Sequence, residues 1–228
     1  MMNFIKTRTS SLSMVVLVLI LILLLQGSIS YSMTFGRLDQ YIPGLRYGVL
    51  PSTWLGLRIA LLTCVVVLWV MDRKRWLFRT IIFVNSIFTL GLILNLAALG
   101  DVLLGISTEA IKALLVGVVF MAISNILIFS IWYWLIDPPG VEENPREDEP
   151  WDFLFPQRAS PIPHYEDWIP RFTDYLSLAF TTSFAFSPTD TLPLTRRAKI
   201  LMMLQATISL ITITGIAGSA IGILVGSG

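Results

Sequence analysis

The chain has 228 residues, of which 55% are hydrophobic and 14% charged, and its mean hydropathy is +0.75. Soluble domains carry about a quarter charged residues, so this composition excludes an ordinary soluble domain and predicts that most of the chain lies in lipid. The formal net charge of +1 excludes the basic surplus that is typical of nucleic-acid binding. The single cysteine, Cys64, excludes an internal disulfide framework, and we expect it to be a small buried residue.

Five apolar runs are long enough to be membrane-spanning helices. About twenty apolar residues cross the hydrocarbon core, and each run must be helical because a helix satisfies its own backbone polar groups. The first run also resembles a signal peptide, since Lys6 and Arg8 precede it and GSIS follows, but its length favours an uncleaved span. The predicted spans are Leu12–Ser30, Thr53–Met71, Thr80–Leu99, Ala113–Ile136 and Ile200–Val225.

The distribution of lysine and arginine predicts the orientation of these spans. Basic residues are concentrated in the N-terminal segment and in DRKRWLFR, between the second and third spans. The opposite loops hold only Arg37, Arg46 and Lys112. Short loops rich in lysine and arginine remain in the cytoplasm. The N-terminus, the DRKRWLFR loop and the long loop after the fourth span are therefore predicted to be cytoplasmic.

The loop from Asp137 to Arg171 has a composition of its own. It contains eight of the twelve prolines, and ten acidic residues face three arginines between positions 137 and 174. Dense proline prevents a regular helix, and the acidic run VEENPREDEP is expected to be solvated. The aromatic residues of WDFLFP and HYEDWIP predict a segment at headgroup depth, where tryptophan and tyrosine are enriched. His164, Glu166 and Asp167 are metal-ligand residue types, but a solvated polar turn is the favoured interpretation. No cofactor and no metal are predicted.

The segment DYLSLAFTTSFAFSPTDTLPLTRRAK, residues 174–199, is too interrupted for a span and too apolar for an ordinary loop. Thr173 or Asp174 is expected to cap a short helix, Tyr175–Phe184, of about 15 Å, half the depth of a bilayer. Pro188 ends that helix, and DTLPLT returns toward water. Irregular backbone is tolerated at membrane depth only inside protein or along a water-filled path. The segment therefore predicts a re-entrant hairpin beside an aqueous path.

The run FTTSFAFSPTD, residues 180–190, resembles the pore-helix end and selectivity filter of potassium channels, FTTLTTVGYGD, without a gap. Phe180, Thr181, Thr182 and Asp190 coincide with that pattern, and a long helix follows in both. Residues 185–189 replace the filter, whose glycines permit the backbone angles behind its ring of carbonyl groups. The resemblance therefore implies a pore-loop architecture without potassium selectivity. The whole chain also resembles an uncharacterised family of bacterial multi-spanning proteins, through DFLFPQ, AFSPTDTLPLT and RAKILMMLQ, which implies an architecture and no reaction.

Polar residues inside the spans have two interpretations. Gln205, Ser209 and Thr212 share one face of the last span, although Ile216 interrupts the row before Ser219. They either line an aqueous path or bond neighbouring helices, and we favour the second interpretation because such bonds are common between membrane helices. Packing between spans is also the interpretation for four further residues, Asn85, Asn95, Ser124 and Asn125.

Arg58 and three glycines complete the features of the spans. Arg58 is close enough to the membrane surface for its charge to reach water, and a buried pairing with Asp101 is the alternative. Gly218, Gly222 and Gly226 recur at four-residue spacing and predict a ridge that lets another helix approach closely, such as one from a second copy. The middle of each span carries no acidic residue or lysine, which argues against a proton-coupled transporter.

These features predict an all-α integral membrane bundle with five transmembrane helices and a re-entrant, pore-loop-like hairpin before the last. Its parts are a four-helix region (1–136), an acidic, proline-rich loop (137–172), and the hairpin with the last helix (173–228). The leading hypothesis is a channel-like protein that lies in the lipid bilayer as a homo-oligomer and passes small ions. The alternative is a non-conducting scaffold whose acidic loop binds a cytoplasmic protein. No phosphate-binding loop, GxSxG motif or paired metal-ligand spacing is present in the sequence, so no enzymatic activity is predicted.

In the channel hypothesis, the polar residues of the hairpin line its narrow part and those of the last span line the wall beyond. Asp190 of several copies would form a ring of negative charge that favours cations. The pore-lining candidates are Thr181, Thr182, Ser183, Ser187, Thr189, Asp190, Gln205, Ser209 and Thr212.

Overall fold

The structure is a computed structural model that describes residues 12–35, 50–71, 73–103, 108–137, 151–159, 168–185, 190–218, 221–222 and 225. Helices make up nearly all of this part of the chain, so the predicted all-helical class is confirmed. The helices are α1 (Leu12–Phe35), α2 (Leu50–Val70), α3 (Lys74–Leu103), α4 (Thr108–Ile136), α5 (Pro156–Ala159), α6 (Phe172–Ala185) and α7 (Arg196–Leu210), which continues as a π-helical segment (Ile211–Ala217). Two short strands, β1 (Phe153–Leu154) and β2 (Leu192–Pro193), pair in antiparallel register, with Phe153 opposite Pro193.

Within the described ranges, three helices are long and apolar enough to cross a membrane: Trp76–Ala97, Leu115–Ile136 and Arg196–Ala217. Leu12–Ser28 and Ile59–Val70 are shorter apolar helices. The last helix begins at Arg196, four residues before the predicted span, because the Thr195 hydroxyl caps it by accepting a hydrogen bond from the Ala198 N–H group. Its length and composition, with those of α3 and α4, indicate a membrane protein.

Helix α4 lies at the centre of the bundle, and α1, α3, α6 and α7 pack against it. Almost every residue of α4 from Ser124 to Leu135 is buried, which is expected of a helix that is apolar on all sides. The neighbouring helices present one buried face to it and leave the other exposed. On α1, for example, Leu19 and Ile22 are fully buried while Leu24 is 60% exposed. An apolar outer surface of this kind suits contact with lipid.

Cys64 lies on the outer face of α2 and is exposed. The expectation of a buried cysteine is therefore wrong. The neighbouring Leu62 and Val65 are buried against the bundle, and the helical period of 3.6 residues turns Cys64 away from them. The apolar run around Cys64 had suggested burial, but an apolar run on a membrane helix does not distinguish the side facing protein from the side facing lipid.

Helix α6 extends over Phe172–Ala185 and is longer at both ends than the predicted 175–184. Asp174 lies in its first turn and accepts a hydrogen bond from the Arg171 N–H group at 2.6 Å, so it acts from inside the helix rather than as the predicted capping residue that precedes it. Such a bond is one half of a capping box. The 14 residues of α6 span about 21 Å at the rise of an α-helix, compared with about 30 Å for a hydrocarbon core.

The aromatic segment after the acidic run inserts into the end of the bundle. Phe153 and Phe155 are buried, and the Phe153 ring lies edge-on to Tyr133 with 5.1 Å between centroids. The Phe155 ring contacts the rings of Trp168 and Tyr175 at 5.5 and 5.6 Å. These side chains cover the ends of α4 and α6, and their location at headgroup depth stays a prediction. The run VEENPREDEP and the HYED residues lie outside the described residues.

Candidate functional site

Asp137 directly follows α4, and its carboxylate is fully buried. Its Oδ1 atom accepts hydrogen bonds from the backbone N–H groups of Asp152 and Phe153, at 3.0 and 3.2 Å. Its Oδ2 atom accepts from Arg158 Nη1 at 3.2 Å and from the Tyr175 hydroxyl at 2.6 Å. A carboxylate withdrawn from water is stable only where other donors replace its hydration. These four donors therefore attach both the following segment and α6 to the end of α4.

Asp152 is the second buried carboxylate. Arg197 donates to it twice, from Nε to Oδ1 at 2.7 Å and from Nη2 to Oδ2 at 2.6 Å, which is the bidentate geometry of a strong arginine–carboxylate pair. The Thr195 hydroxyl also donates to Oδ1, and the Leu194 N–H group donates to the Asp152 carbonyl at 2.9 Å. The Asp152 side chain is 0% exposed and that of Arg197 is 60% exposed. Asp152 thus attaches the start of α7 to the segment that follows Asp137.

Arg158 neutralises Asp137, and its guanidinium group lies beside two aromatic rings. Its side chain is 4% exposed. The guanidinium group lies 4.8 Å from the centroid of Trp151 and 5.8 Å from that of Phe155, and its Nη1 atom also donates to the Phe153 carbonyl at 3.1 Å. Aromatic faces attract a cation most strongly where water is excluded. The aspartate cluster is defined here as Asp137, Asp152, Arg158, Tyr175 and Arg197.

The aspartate cluster brings together the beginnings of α6 and α7. Tyr175 belongs to the first turn of α6, and Arg197 to the first turn of α7. The antiparallel pairing of β1 with β2 adds a backbone connection at the same end of the bundle. The chain therefore leaves this end along α6 and is back at the same end when α7 begins.

Gln205 joins three helices deeper in the bundle. Its side-chain Nε2 donates to the Ala179 carbonyl and to the Ser183 hydroxyl oxygen of α6, both at 2.8 Å. Its Oε1 atom accepts from the Tyr133 hydroxyl of α4. Gln205 is fully buried. Because all the polar atoms of its side chain are bonded to protein, Gln205 connects α4, α6 and α7 in this arrangement.

Further buried polar side chains connect other pairs of helices at a similar depth. Asn125 Nδ2 donates to Ser209 Oγ at 2.7 Å and to the Gln205 carbonyl at 3.4 Å. Asn85 Nδ2 donates to the Ile128 carbonyl at 3.2 Å. We define the polar layer as seven of the buried polar side chains inside the bundle: Gln26, Asn85, Ser124, Asn125, Ser183, Gln205 and Ser209.

The structure places the predicted pore-lining residues in several environments. Ser183, Gln205 and Ser209 belong to the polar layer. Thr182 and Thr212 are buried on the same helix faces, and their hydroxyl groups donate to the carbonyl groups of Leu178 and Ile208. The half-buried Thr181 donates to carbonyl groups of its own helix, Asp190 is exposed, and Ser187 and Thr189 lie outside the described residues.

The remaining predicted contacts are only partly within the described residues. Gly218 and Gly222 are exposed, and a Cβ atom added to either would meet no atom within 4 Å, so neither packs against a described helix of the same chain. Asn95 is half-buried on α3, and its Nδ2 atom has no hydrogen-bond partner among the described residues. Gly226, the side chain of Arg58, and the HYED residues lie outside those residues. The part of the chain that the structure describes contains no group of three or more residues able to hold a metal ion.

The aspartate cluster was not found from the sequence. Asp137 and Asp152 were counted only among the ten acidic residues between positions 137 and 174. A usable signal was present, since Asp137 follows the apolar end of α4 without a spacer and Asp152 stands directly before a run with buried phenylalanines.

No protein-family model matches the chain, and neither the curated proteins nor the solved structures include one that is significantly similar to it.

Proposed function

We propose that this chain is a multi-pass protein of a bacterial inner membrane whose hairpin, residues 172–194, and last helix form a passage for small ions in an assembly of several copies. Five spans and cytoplasmic ends of the hairpin complete the proposed topology. The resemblance of residues 180–190 to a pore loop suggested this function. The observation that carries it is the return of the chain to the aspartate cluster after α6. A segment with a single helix whose two ends lie at the same end of the bundle does not cross the bilayer.

The position of α6 supports a re-entrant hairpin. Its first turn is attached to Asp137 through Tyr175, and its far end is attached to Gln205 through Ser183. Gln205 lies nine residues after Arg196, the first residue of α7, a distance of about 14 Å along a helix. α4 and α7 therefore cover the buried side of α6, which supplies the protein shielding that a helix ending inside the membrane requires.

Orientation of the hairpin follows from the basic residues near it. Arg73 and Arg79 are exposed at the start of α3, and Arg196 and Lys199 are exposed at the start of α7. Lysine and arginine at the ends of spans mark the cytoplasmic side. In the proposed orientation the aspartate cluster and Asp190 lie on the cytoplasmic side, where Asp190 of several copies would raise the local concentration of cations.

A second function, that of a non-conducting scaffold, is favoured by a different observation. The polar candidates Ser183, Gln205 and Ser209 are bonded to other side chains of the same copy. Such bonds stabilise a bundle whether or not ions pass, and a passage lined by these residues would have to exchange some of them for water. In the scaffold, the hairpin is a structural element and the acidic residues 141–149 bind a basic cytoplasmic protein.

The topology is tested by labelling cysteines from each side of the membrane in a Cys64→Ala background. Thr173→Cys and Leu194→Cys mark the two ends of the hairpin at exposed positions. We expect an impermeant maleimide to label both from the cytoplasmic side only. Labelling of the two positions from opposite sides would mean that the segment crosses the bilayer, and the passage proposal would then fail.

Conduction is tested with purified protein in liposomes. We expect flux of small monovalent cations and a weaker preference for cations over anions in Asp190→Asn. Asp174→Asn is the matched control, because Asp174 is engaged with the Arg171 N–H group and is not proposed to face the passage. A monomeric protein without flux under any cation gradient would exclude the channel and leave the scaffold.

A further inference from the structure

Three buried oxygen atoms of the polar layer have no hydrogen-bond partner among the residues that the structure describes. They are Oδ1 of Asn85, Oγ of Ser124 and Oδ1 of Asn125. All three residues are at most 1% exposed. A polar group without a partner costs about 1–3 kcal/mol in a protein interior, and more where the surrounding medium is hydrocarbon. Three such atoms at one level of a membrane bundle therefore point to a ligand.

The orientation of both asparagine side chains is fixed by the atoms around them. Asn85 Nδ2 donates to a backbone carbonyl, that of Ile128, and Asn125 Nδ2 lies within reach of the Gln205 carbonyl as well as Ser209 Oγ. Turning either amide by 180° would place two oxygen atoms against each other. The unpartnered atoms are therefore acceptors, and they require a donor or a cation.

Ser124 differs from the other hydroxyl residues on the buried faces. Thr89, Thr182 and Thr212 each donate to the carbonyl group four residues earlier in their own helix. This is the usual way for a hydroxyl group to be satisfied inside a membrane helix. The Ser124 hydroxyl makes no such bond and is fully buried. It is therefore available to a ligand bound between the helices.

The three oxygens lie in the region where α3, α4 and α7 meet. Ser124 and Ile128, the contact of Asn85, are four residues apart and share one face of α4. Asn125, the next residue, points to Ser209 on α7. The π-helical segment of α7 contacts both α3 and α4 beyond this level. The α4 residues that carry or contact these oxygens, Ser124, Asn125 and Ile128, thus span about 6 Å along the helix axis.

We propose that the polar layer binds internal water molecules between α3, α4 and α7, held by Asn85, Ser124 and Asn125. A buried water makes about three hydrogen bonds and donates two of them, which suits acceptors without donors. A bound metal cation is disfavoured because the described part of the layer contains no carboxylate, and an uncompensated charge in a low-dielectric interior is costly. Neutral amide and hydroxyl oxygens are therefore matched by water.

The bound water extends the proposed passage inside each copy. Ser183 and Gln205 mark the depth reached by the hairpin, and Asn125 contacts the Gln205 carbonyl. Water at Asn125 would continue a polar route from the end of the hairpin toward the other side of the membrane. The water site stands on the three oxygens alone, whereas its part in ion passage rests on the proposed function.

The test compares two cysteines of equal burial in a Cys64→Ala background of the full chain. Ser124→Cys places a thiol in the polar layer, and Val84→Cys places one beside Asn85 at a position that is 1% exposed and apolar. Ag⁺ is the probe, because it travels only through water and reacts with thiols. After quenching and unfolding in SDS, the free thiols are counted with a fluorescent maleimide, and size-exclusion chromatography verifies that both variants are folded.

We expect Ag⁺ to react with Ser124→Cys at least ten times faster than with Val84→Cys. Equal rates would overturn the water site. Fast reaction of Ser124→Cys without ion flux in liposomes would support the water site and refute the passage, so the two proposals fail separately.

If Ser124→Cys does not fold, X-ray radiolysis of the unmodified protein replaces it. Met121, fully buried one turn from Asn125, should then be oxidised within tenfold of the rate of exposed Met203, and a lower rate would overturn the site.

Discussion

Replacing Asp137 by alanine tests whether the aspartate cluster holds the hairpin. The substitution leaves the Arg158 guanidinium, which is 4% exposed, without its carboxylate. Removing one partner of a buried ion pair costs about 3–5 kcal/mol. The backbone N–H groups of Asp152 and Phe153 and the Tyr175 hydroxyl also lose their acceptor, and each buried donor adds about 1–3 kcal/mol when considered alone. Because such terms are not additive, we expect a loss of at least about 4 kcal/mol.

The assay is thermal unfolding of the purified protein in detergent, followed by tryptophan fluorescence. A loss of about 4 kcal/mol corresponds to a fall of about 8–16 °C in Tm for a chain of this length. Two variants calibrate the result. Tyr175→Phe removes a single donor and should cost about 1–1.5 kcal/mol, and Asp174→Ala removes one exposed hydrogen bond and should cost about 1 kcal/mol or less. A Tm for Asp137→Ala as high as that of Asp174→Ala would refute the assigned role of the cluster.

Two further predictions address the interior and the outer surface of the bundle. Gln205→Leu removes the bonds to Ala179, Ser183 and Tyr133 and should destabilise the protein by about 2–3 kcal/mol in the same unfolding assay. Hydrogen bonds between membrane helices average about 0.6 kcal/mol, and the Tyr133 hydroxyl is also left buried without its acceptor. An unchanged Tm would contradict the assigned contacts. A Cβ atom added at Gly218 would meet no atom within 4 Å among the described residues, so the Tm of Gly218→Leu should be unchanged or slightly higher while the oligomer detected by light scattering is lost. A retained oligomer would remove the glycine ridge from the contact between copies.

Sequence reasoning succeeded where one property decides the structure. Helical class and the positions of the apolar runs follow from hydropathy, because every backbone group in lipid must be satisfied within its own segment. The shared face of Gln205, Ser209 and Thr212 follows from the helical period, and all three are buried. These inferences need no knowledge of which helices are neighbours.

Contacts between distant segments could not be obtained in the same way. Asp137 and Asp152 are buried because Arg158, Tyr175 and Arg197 reach them from 21, 38 and 45 residues away. The composition of the loop alone does not distinguish them from the acidic residues between them. Cys64 illustrates the reverse case, since its apolar neighbours predicted burial while the side of α2 on which it lies faces outward.

The position of α6 along α4 has to be fixed by polar contacts. Apolar side chains in lipid gain little from one register of two helices over another, because the lipid chains are as apolar as the protein surface. Hydrogen bonds are directional, and a shift by one turn, about 5.4 Å, would break both the Tyr175–Asp137 bond at one end of α6 and the Ser183–Gln205 bond near the other. A buried ion pair contributes little more stability than well-packed apolar residues of the same volume. We infer that the aspartate cluster determines where the hairpin stands in the bundle, and that the proposed passage requires this position.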